Sequence, residues 1–269
     1  MALAIADLIS KLEAWASPAW QEDWDNCGWQ VQPGLLDEPA QVLVCLTPTL
    51  AVMAEALKLR DQGVGVNLIL AHHPLIFSPL KRVTEGDPVG DMVRQAIAHH
   101  IGIYTAHTNF DQVQDGTADL LAQVLHLQNS EPVVPTQPGI GYGRVGDLSP
   151  ALTLQDLLDL IQAKLSPPRL IYSPAADLTQ KIDRLAVLGG SGASFMGAVA
   201  KTGAQAYLTS DCKFHQFQEG RDRHLVLIDA GHYATERPAC DRLAELVRQW
   251  GAPWAQLSTA DEDFRQFWG

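Results

Sequence analysis

The chain has 269 residues, 46% of them hydrophobic and 19% charged, an ordinary globular composition that excludes disordered and fibrous classes. Its 19 basic and 31 acidic residues leave a formal charge of −12, and the carboxylates are scattered rather than packed into an acidic tail. A nonspecific nucleic-acid surface, which needs grouped lysines and arginines, is therefore not expected. Nor is a membrane partner, since no stretch approaches the roughly 20 apolar residues that span a bilayer.

In chain order, MALAIADLISKLEAW sets Leu3, Ile5, Leu8, Ile9 and Leu12 at helical spacing, with Asp7 early and no basic start. That predicts an amphipathic first helix rather than a leader. EDWDNCGWQ (22–30) is turn-like, and its Asp25 and Asn26 either bond their own backbone or touch a substrate. Strands are predicted at 41–47, 66–71, 102–106, 184–189, 204–210 and 224–229. Helices are predicted at 50–63, 87–100, 116–127, 152–165 and 194–203, with a last one from about Pro238 to Trp250. This alternation predicts an α/β layered fold with largely parallel strands. The Pro- and Gly-rich stretch 128–150 interrupts it and marks a boundary near residue 128, and 165–177 reads as an extended connection. The expectation is a first lobe of residues 1–128 plus 223–269, with 129–222 inserted as a second α/β lobe. Cys27, Cys45, Cys212 and Cys240 lack CxxC spacing and read as reduced thiols of a cytoplasmic protein.

Three predicted strands end in metal-type ligands: VNLILAHHP (66–74), IGIYTAHTNFD (101–111) and HLVLIDAGHYATE (224–236). In open α/β sheets, ligands bind outside the carboxyl ends of strands. His72 and His73 would point to opposite sides of an ideal strand, but a turn at its end aims both at neighbouring ions, and Pro74 stiffens the exit. His232 and Glu236 are four apart, on one face of a helix whose start Pro238 places near Thr235. In HTNFD, Asp111 is the stronger ligand, and His107 the weaker one, suited to hydrogen-bonding a ligand or substrate. His99 and His100, by contrast, close a helix at the opposite edge and read as surface groups.

Imidazoles with carboxylates fit two divalent ions per chain, chosen among zinc, iron, manganese, cobalt and nickel, that acidify a shared water for hydrolysis. GGSGASF (189–195) offers backbone N–H groups to an anion. TSDCKFH (209–215), with Asp211, Lys213 and His215, is either a polar loop or part of the site.

WDNCGWQV, AHHPLIF, HTNFD, GGSGASF, TSDCKFH and GHYATE, in this order, closely resemble the Nif-three-like family, also called GTP cyclohydrolase 1 type 2 homologues. The resemblance runs from about Asp25 to Glu236. It implies two α/β lobes, with sheets flanked by helices, around a dinuclear metal site at strand C-terminal ends between them, and a ring-shaped homohexamer. It puts His73 and Asp111 on one ion, His72 and His232 on the other, and Glu236 bridging both. The chain looks like the short form, without an additional inserted domain. WQVQPG after the WDN turn departs from the usual continuation. The expected function is a dinuclear-metal hydrolase resembling GTP cyclohydrolase 1 type 2, in which metal-bound hydroxide attacks a purine nucleotide ring carbon. His215 or His107 would move protons, and Asp25, Asn26 and Lys213 would contact substrate. The rival expectations are a metal-dependent phosphoesterase and a non-catalytic, metal-binding hexameric scaffold or regulatory interaction protein.

Overall fold

A computed structural model describes residues 2–32, 34–174 and 177–268. Pro33, inside WQVQPG, and residues 175–176, inside the 165–177 connection, lie outside the described residues. The chain forms two compact units, Met1–Phe110 with Cys240–Glu262 and Asp111–Ala239 with Asp263–Gly269. These dividing lines differ from those expected near 128 and 222, for a packing reason. The helix Thr117–Val124 buries Leu121 and Ala122 in the same core as Ile182, Leu185 and Leu208, and Val226–Asp229 pairs in parallel with Ala206–Thr209. Both elements therefore belong to the second unit.

In the first unit, five strands run in the order Gly28–Val31, Gly102–Thr105, Leu68–Ala71, Gln41–Cys45, Trp254–Leu257. The last four are mutually parallel, and only Gly28–Val31 is antiparallel to its neighbour. Leu68–Ala71 and Gly102–Thr105 are buried throughout, as parallel strands covered on both faces are. Helix Leu50–Asp61 starts at Thr49, whose hydroxyl accepts from Val52 N, and helix Pro88–Ala98 starts at Asp87, which accepts from Gly90 N. Their apolar faces, Val52, Met53 and Ala56 with Met92, Val93 and Ala96, pack on Leu43, Ile69 and Ile103.

Among the described residues, the second unit's sheet has six strands in the order Gln128–Gln137, Ile140–Thr153, Lys181–Val187, Ala206–Thr209, Val226–Asp229, Ile171–Tyr172. The three between Lys181 and Asp229 are parallel and the outer pairings antiparallel. The stretch 128–150 is thus a long hairpin and not a boundary segment. Its Pro132 and Pro135 mimic a linker in the sequence, yet an edge strand tolerates proline because its ladder is needed on one side only. Helix Leu154–Leu165 opens on a Thr153–Asp156 capping box. The predicted helix at 194–203 is broken into short 3₁₀ and α turns.

The last helix spans His232–Gln249 and begins three residues before Thr235, so Pro238 lies inside it. The missing Pro238 N–H costs one backbone bond. The first turn is secured instead by Thr235, whose N and Oγ1 both donate to Gly231 O at 3.2 and 3.1 Å. Among the described residues no helix is long and apolar enough to cross a membrane.

Candidate metal centre

Past the end of Leu68–Ala71 the backbone is still tied to its neighbour: His72 N donates to Cys45 O (3.1 Å) and His73 N to Leu46 O (2.8 Å). The chain then turns, bringing the two rings to 5.1 Å between centroids instead of leaving them on opposite faces. His107, just past Gly102–Thr105, completes the group, its ring 5.1 Å from His72 and 5.5 Å from His73. One ring nitrogen from each of the three lies within 4.8 Å of the others.

Every ring in this group has its Nδ1 held by a protein oxygen. His72 Nδ1 is 2.8 Å from Ala106 O, His73 Nδ1 is 2.8 Å from Thr47 Oγ1, and His107 Nδ1 is 2.8 Å from Asp25 Oδ1. A carbonyl or carboxylate accepts only from a protonated Nδ1, so His72 and His107 present Nε2 as the lone-pair nitrogen. Metal-ligating histidines are anchored in this way by outer groups that fix tautomer and ring orientation. His72 is fully buried.

Asp25 and Asn26 are engaged in bonds within the protein. The Asp25 carboxylate is completely covered and accepts from His107, from Thr108 N and Oγ1, from Asn26 N and from Cys27 Sγ. Burial raises its pKa, but the hydrogen bonds from His107 and Thr108 outweigh that and hold it well below the usual carboxylate range. Asn26 Nδ2 donates to Ile76 O at 2.7 Å. Asp25 thus backs His107, while the Asn26 side chain ties the turn to Ile76. Asp111 follows one turn later, half-buried in the helix Thr108–Gln112.

In the second unit, His232 and Glu236 occupy the first turns of the last helix with Nε2 and Oε2 2.8 Å apart, the pairing anticipated from i, i+4 spacing. His232 Nδ1 lies 2.5 Å from Asp211 Oδ2. Burial lowers the His232 pKa, but the hydrogen bonds to Asp211 and Glu236 outweigh it and raise the value to about 10. Asp211 follows strand Ala206–Thr209 at φ 53°, a left-handed turn that Asp tolerates better than most residues. Asp229 staples the two loops, accepting from Cys212 N at 2.8 Å and Gly231 N at 2.9 Å.

In GGSGASF two of the glycine N–H groups are already engaged. Gly190 N donates to Thr235 Oγ1 and Gly192 N to Thr209 Oγ1 and Gly190 O, so these N–H groups are spent inside the protein. The loop instead makes room for Glu236. A Cβ on Gly190, where φ is +67°, would lie 2.0 Å from Glu236 Oε1, and one on Gly189 would lie 3.2 Å from Glu236 Cγ. Lys213 and His215 sit at the exposed start of helix Phe214–Asp222, His215 against the Phe214 ring at 5.3 Å. Of that polar segment it is Asp211 that reaches a predicted ligand. Thr47, Asp229 and the Gly189–Gly190 pair were not legible as site residues, because nothing local in the sequence marks a hydroxyl or a gap that acts across the fold.

Buried or half-buried imidazoles with Nδ1 atoms held by protein oxygens, and a carboxylate seated in a glycine gap, define a two-sheet α/β protein with side chains that could hold a metal ion. The Duf34/NIF3 (NGG1p interacting factor 3) family model matches residues 3–260, and the chain belongs to that family. It is 66% identical over 265 residues to a "GTP cyclohydrolase 1 type 2 homolog" of Nostoc sp., covering 98% of this chain and 99% of that protein. A protein of the same name from Clostridium acetobutylicum is 30% identical, covering 89% of this chain and 87% of its own. Among solved structures, Staphylococcus aureus protein SA1388 superposes with a TM-score of 0.88 at 26% identity, covering 99% of this chain and all of that one. Reduced HcgD from Methanocaldococcus jannaschii superposes with a TM-score of 0.76 at 27% identity, covering 91% and 94%.

Proposed function

We propose that the protein is a cytoplasmic, metal-dependent hydrolase acting on a purine nucleotide, similar to what the name of its Nostoc relative states. The observation that carries this reading is the uniform anchoring of Nδ1 on His72, His73, His107 and His232, which readies imidazoles for coordination through Nε2. His72, His73, Asp111, His232 and Glu236 would hold two divalent ions, of zinc, iron, manganese, cobalt or nickel. When bound, such ions acidify a water and neutralise developing negative charge. The protein's own part is to fix the imidazoles, to seat Glu236 against Gly189 and Gly190, and to keep His107 on Asp25 so that its Nε2 can carry a proton. His215 and Lys213, exposed on their helix, are the further groups proposed for proton transfer and substrate contact. A ring-shaped homohexamer is proposed as the assembly, and light scattering at micromolar protein should give a mass near six chains.

The function is tested by elemental analysis followed by a nucleotide screen on metal-loaded protein. Close to two ions per chain and metal-dependent opening of the guanine ring are expected. Phosphate release from an intact purine would make the protein a phosphoesterase. No turnover of any nucleotide by fully loaded protein would leave a metal-binding scaffold.

A further inference from the structure

The described C-terminal residues, 263–268, group with the second unit and reach Asp211, the carboxylate that holds His232. Arg265 is the contact. Its Nη1 lies 3.5 Å from Asp211 Oδ1, while Oδ2 of the same carboxylate holds His232 Nδ1 at 2.5 Å. The guanidinium is itself aimed by Asp263, which accepts from Arg265 Nε at 3.0 Å, Nη2 at 3.1 Å and the Arg265 backbone N at 3.1 Å. It fits because residue 231 is glycine: a Cβ there would lie 2.7 Å from Arg265 Nη2. Two residues on, the Phe267 ring lies 5.8 Å beneath the Arg169 guanidinium, a cation–π contact that ties the same segment to the unit.

We propose that Asp211 and Arg265 are positioning residues of the metal site, and that the 263–268 segment is a clamp which sets the affinity for a divalent cation at His232. A carboxylate with one oxygen on Nδ1 and the other on a guanidinium cannot rotate away from the ring without losing both partners. The Asp229 staple holds its backbone in register with Gly231. His232 is thereby kept in one tautomer and one orientation, with Nε2 directed at Glu236. Two effects of Arg265 oppose each other: its positive charge disfavours a cation nearby, while its grip on Asp211 favours the oriented ligand. Arg265 is only partly buried and its charge is shared with Asp263 and Asp211. Screening by solvent and by those carboxylates weakens the repulsion, so orientation wins.

The inference rests on the metal reading above, and the experiment separates the two. Full-length wild type and the variants Asp211→Asn, Arg265→Gln, Arg265→Lys and His232→Ala are titrated with Mn²⁺ and with Co²⁺ by calorimetry, and the Co²⁺ visible spectrum is recorded. Loss of an outer partner of a ligating histidine typically costs about 10–100-fold in metal affinity, and Asp211→Asn should fall in that range. Arg265→Gln should lose less, roughly three- to tenfold on the same basis, and Arg265→Lys should recover part of it with a wild-type Co²⁺ spectrum. Thermal unfolding of the metal-free variants shows whether each one folds. A wild type that binds neither ion takes down the metal reading and this inference with it. A wild type that binds them, with Asp211→Asn and Arg265→Gln indistinguishable from it, overturns the inference alone. Tighter binding by Arg265→Gln would mean that the guanidinium acts only as a charge, and overturns the clamp.

Discussion

At His72 the ring is fully buried and its Nδ1 faces a backbone carbonyl, whereas at His232 the side chain is 32% exposed and lies between two carboxylates. The first cluster is built almost wholly by strand ends: two parallel strands stop, a turn follows, and neutral oxygens from Ala106 and Thr47 orient two of its three rings. The second is built by loops and a helix start, and its order comes from charge: Asp211 and Glu236 flank His232, and Arg265 pairs with Asp211. A cluster set by backbone geometry is insensitive to salt and to small surface changes, while one set by exposed ion pairs is open to both.

The sharpest way to break this comparison is to remove a ring from each cluster. His72→Ala and His232→Ala should each lose at least one ion per chain by elemental analysis. If only one of the two substitutions changes metal content, the clusters are not equivalent in function. Next in size is Gly190→Ala, which places a methyl where Glu236 Oε1 sits and demands a positive φ of alanine. We expect a loss of at least about 2 kcal/mol in unfolding free energy, measured by denaturant titration, with metal uptake falling too. Gly197→Ala, where a Cβ meets nothing within 4 Å, is the matched control and should be near neutral.

A smaller effect sharpens the buried side of the comparison. Asp25→Asn keeps the shape but removes an ionised acceptor that serves His107 and Thr108, and should cost about 2–3 kcal/mol at neutral pH. The sign with pH follows from a folded-state pKa held below the unfolded one. The stabilisation is fully present above the unfolded value of about 3.9 and is lost as pH falls through the folded value. Wild type should therefore lose stability on acidification below about pH 4, and Asp25→Asn should show a shallower acid limb. Smallest of all, His99→Gln with His100→Asn should leave metal content unchanged and shift stability by less than about 0.5 kcal/mol. Both residues are exposed, and Asn accepts the φ of 53° found at His100.

Much of the first cluster was legible because its ligands follow β-branched and aliphatic runs, and a buried parallel strand is a strong local signal. His72, His73 and His107 could be placed at strand ends from that alone, and the His232–Glu236 pairing from helical spacing. The second unit was harder to read. Gln128–Gln137 and Ile140–Thr153 carry the Pro and Gly that normally punctuate chains, and only their place at a sheet edge explains why they pair. The last helix starts earlier than Pro238 suggests, because a proline is tolerated inside it when Thr235 secures the turn before. The bonds of Asp25 to Thr108, 83 positions away, leave no local trace. Arg265 left none at all.

The edges of the second sheet limit how the molecule can extend itself. One edge is Gln128–Gln137, ten residues long, in which Pro132 and Pro135 have no N–H to offer; the other is the two-residue strand Ile171–Tyr172. A ribbon interrupted on one side and truncated on the other makes a poor template for a further strand. Growth of this sheet by zippering from copy to copy is thereby discouraged at both margins. Any contact between copies at this unit would then fall to side-chain surfaces, which can form closed and finite arrangements and need not run on into fibres.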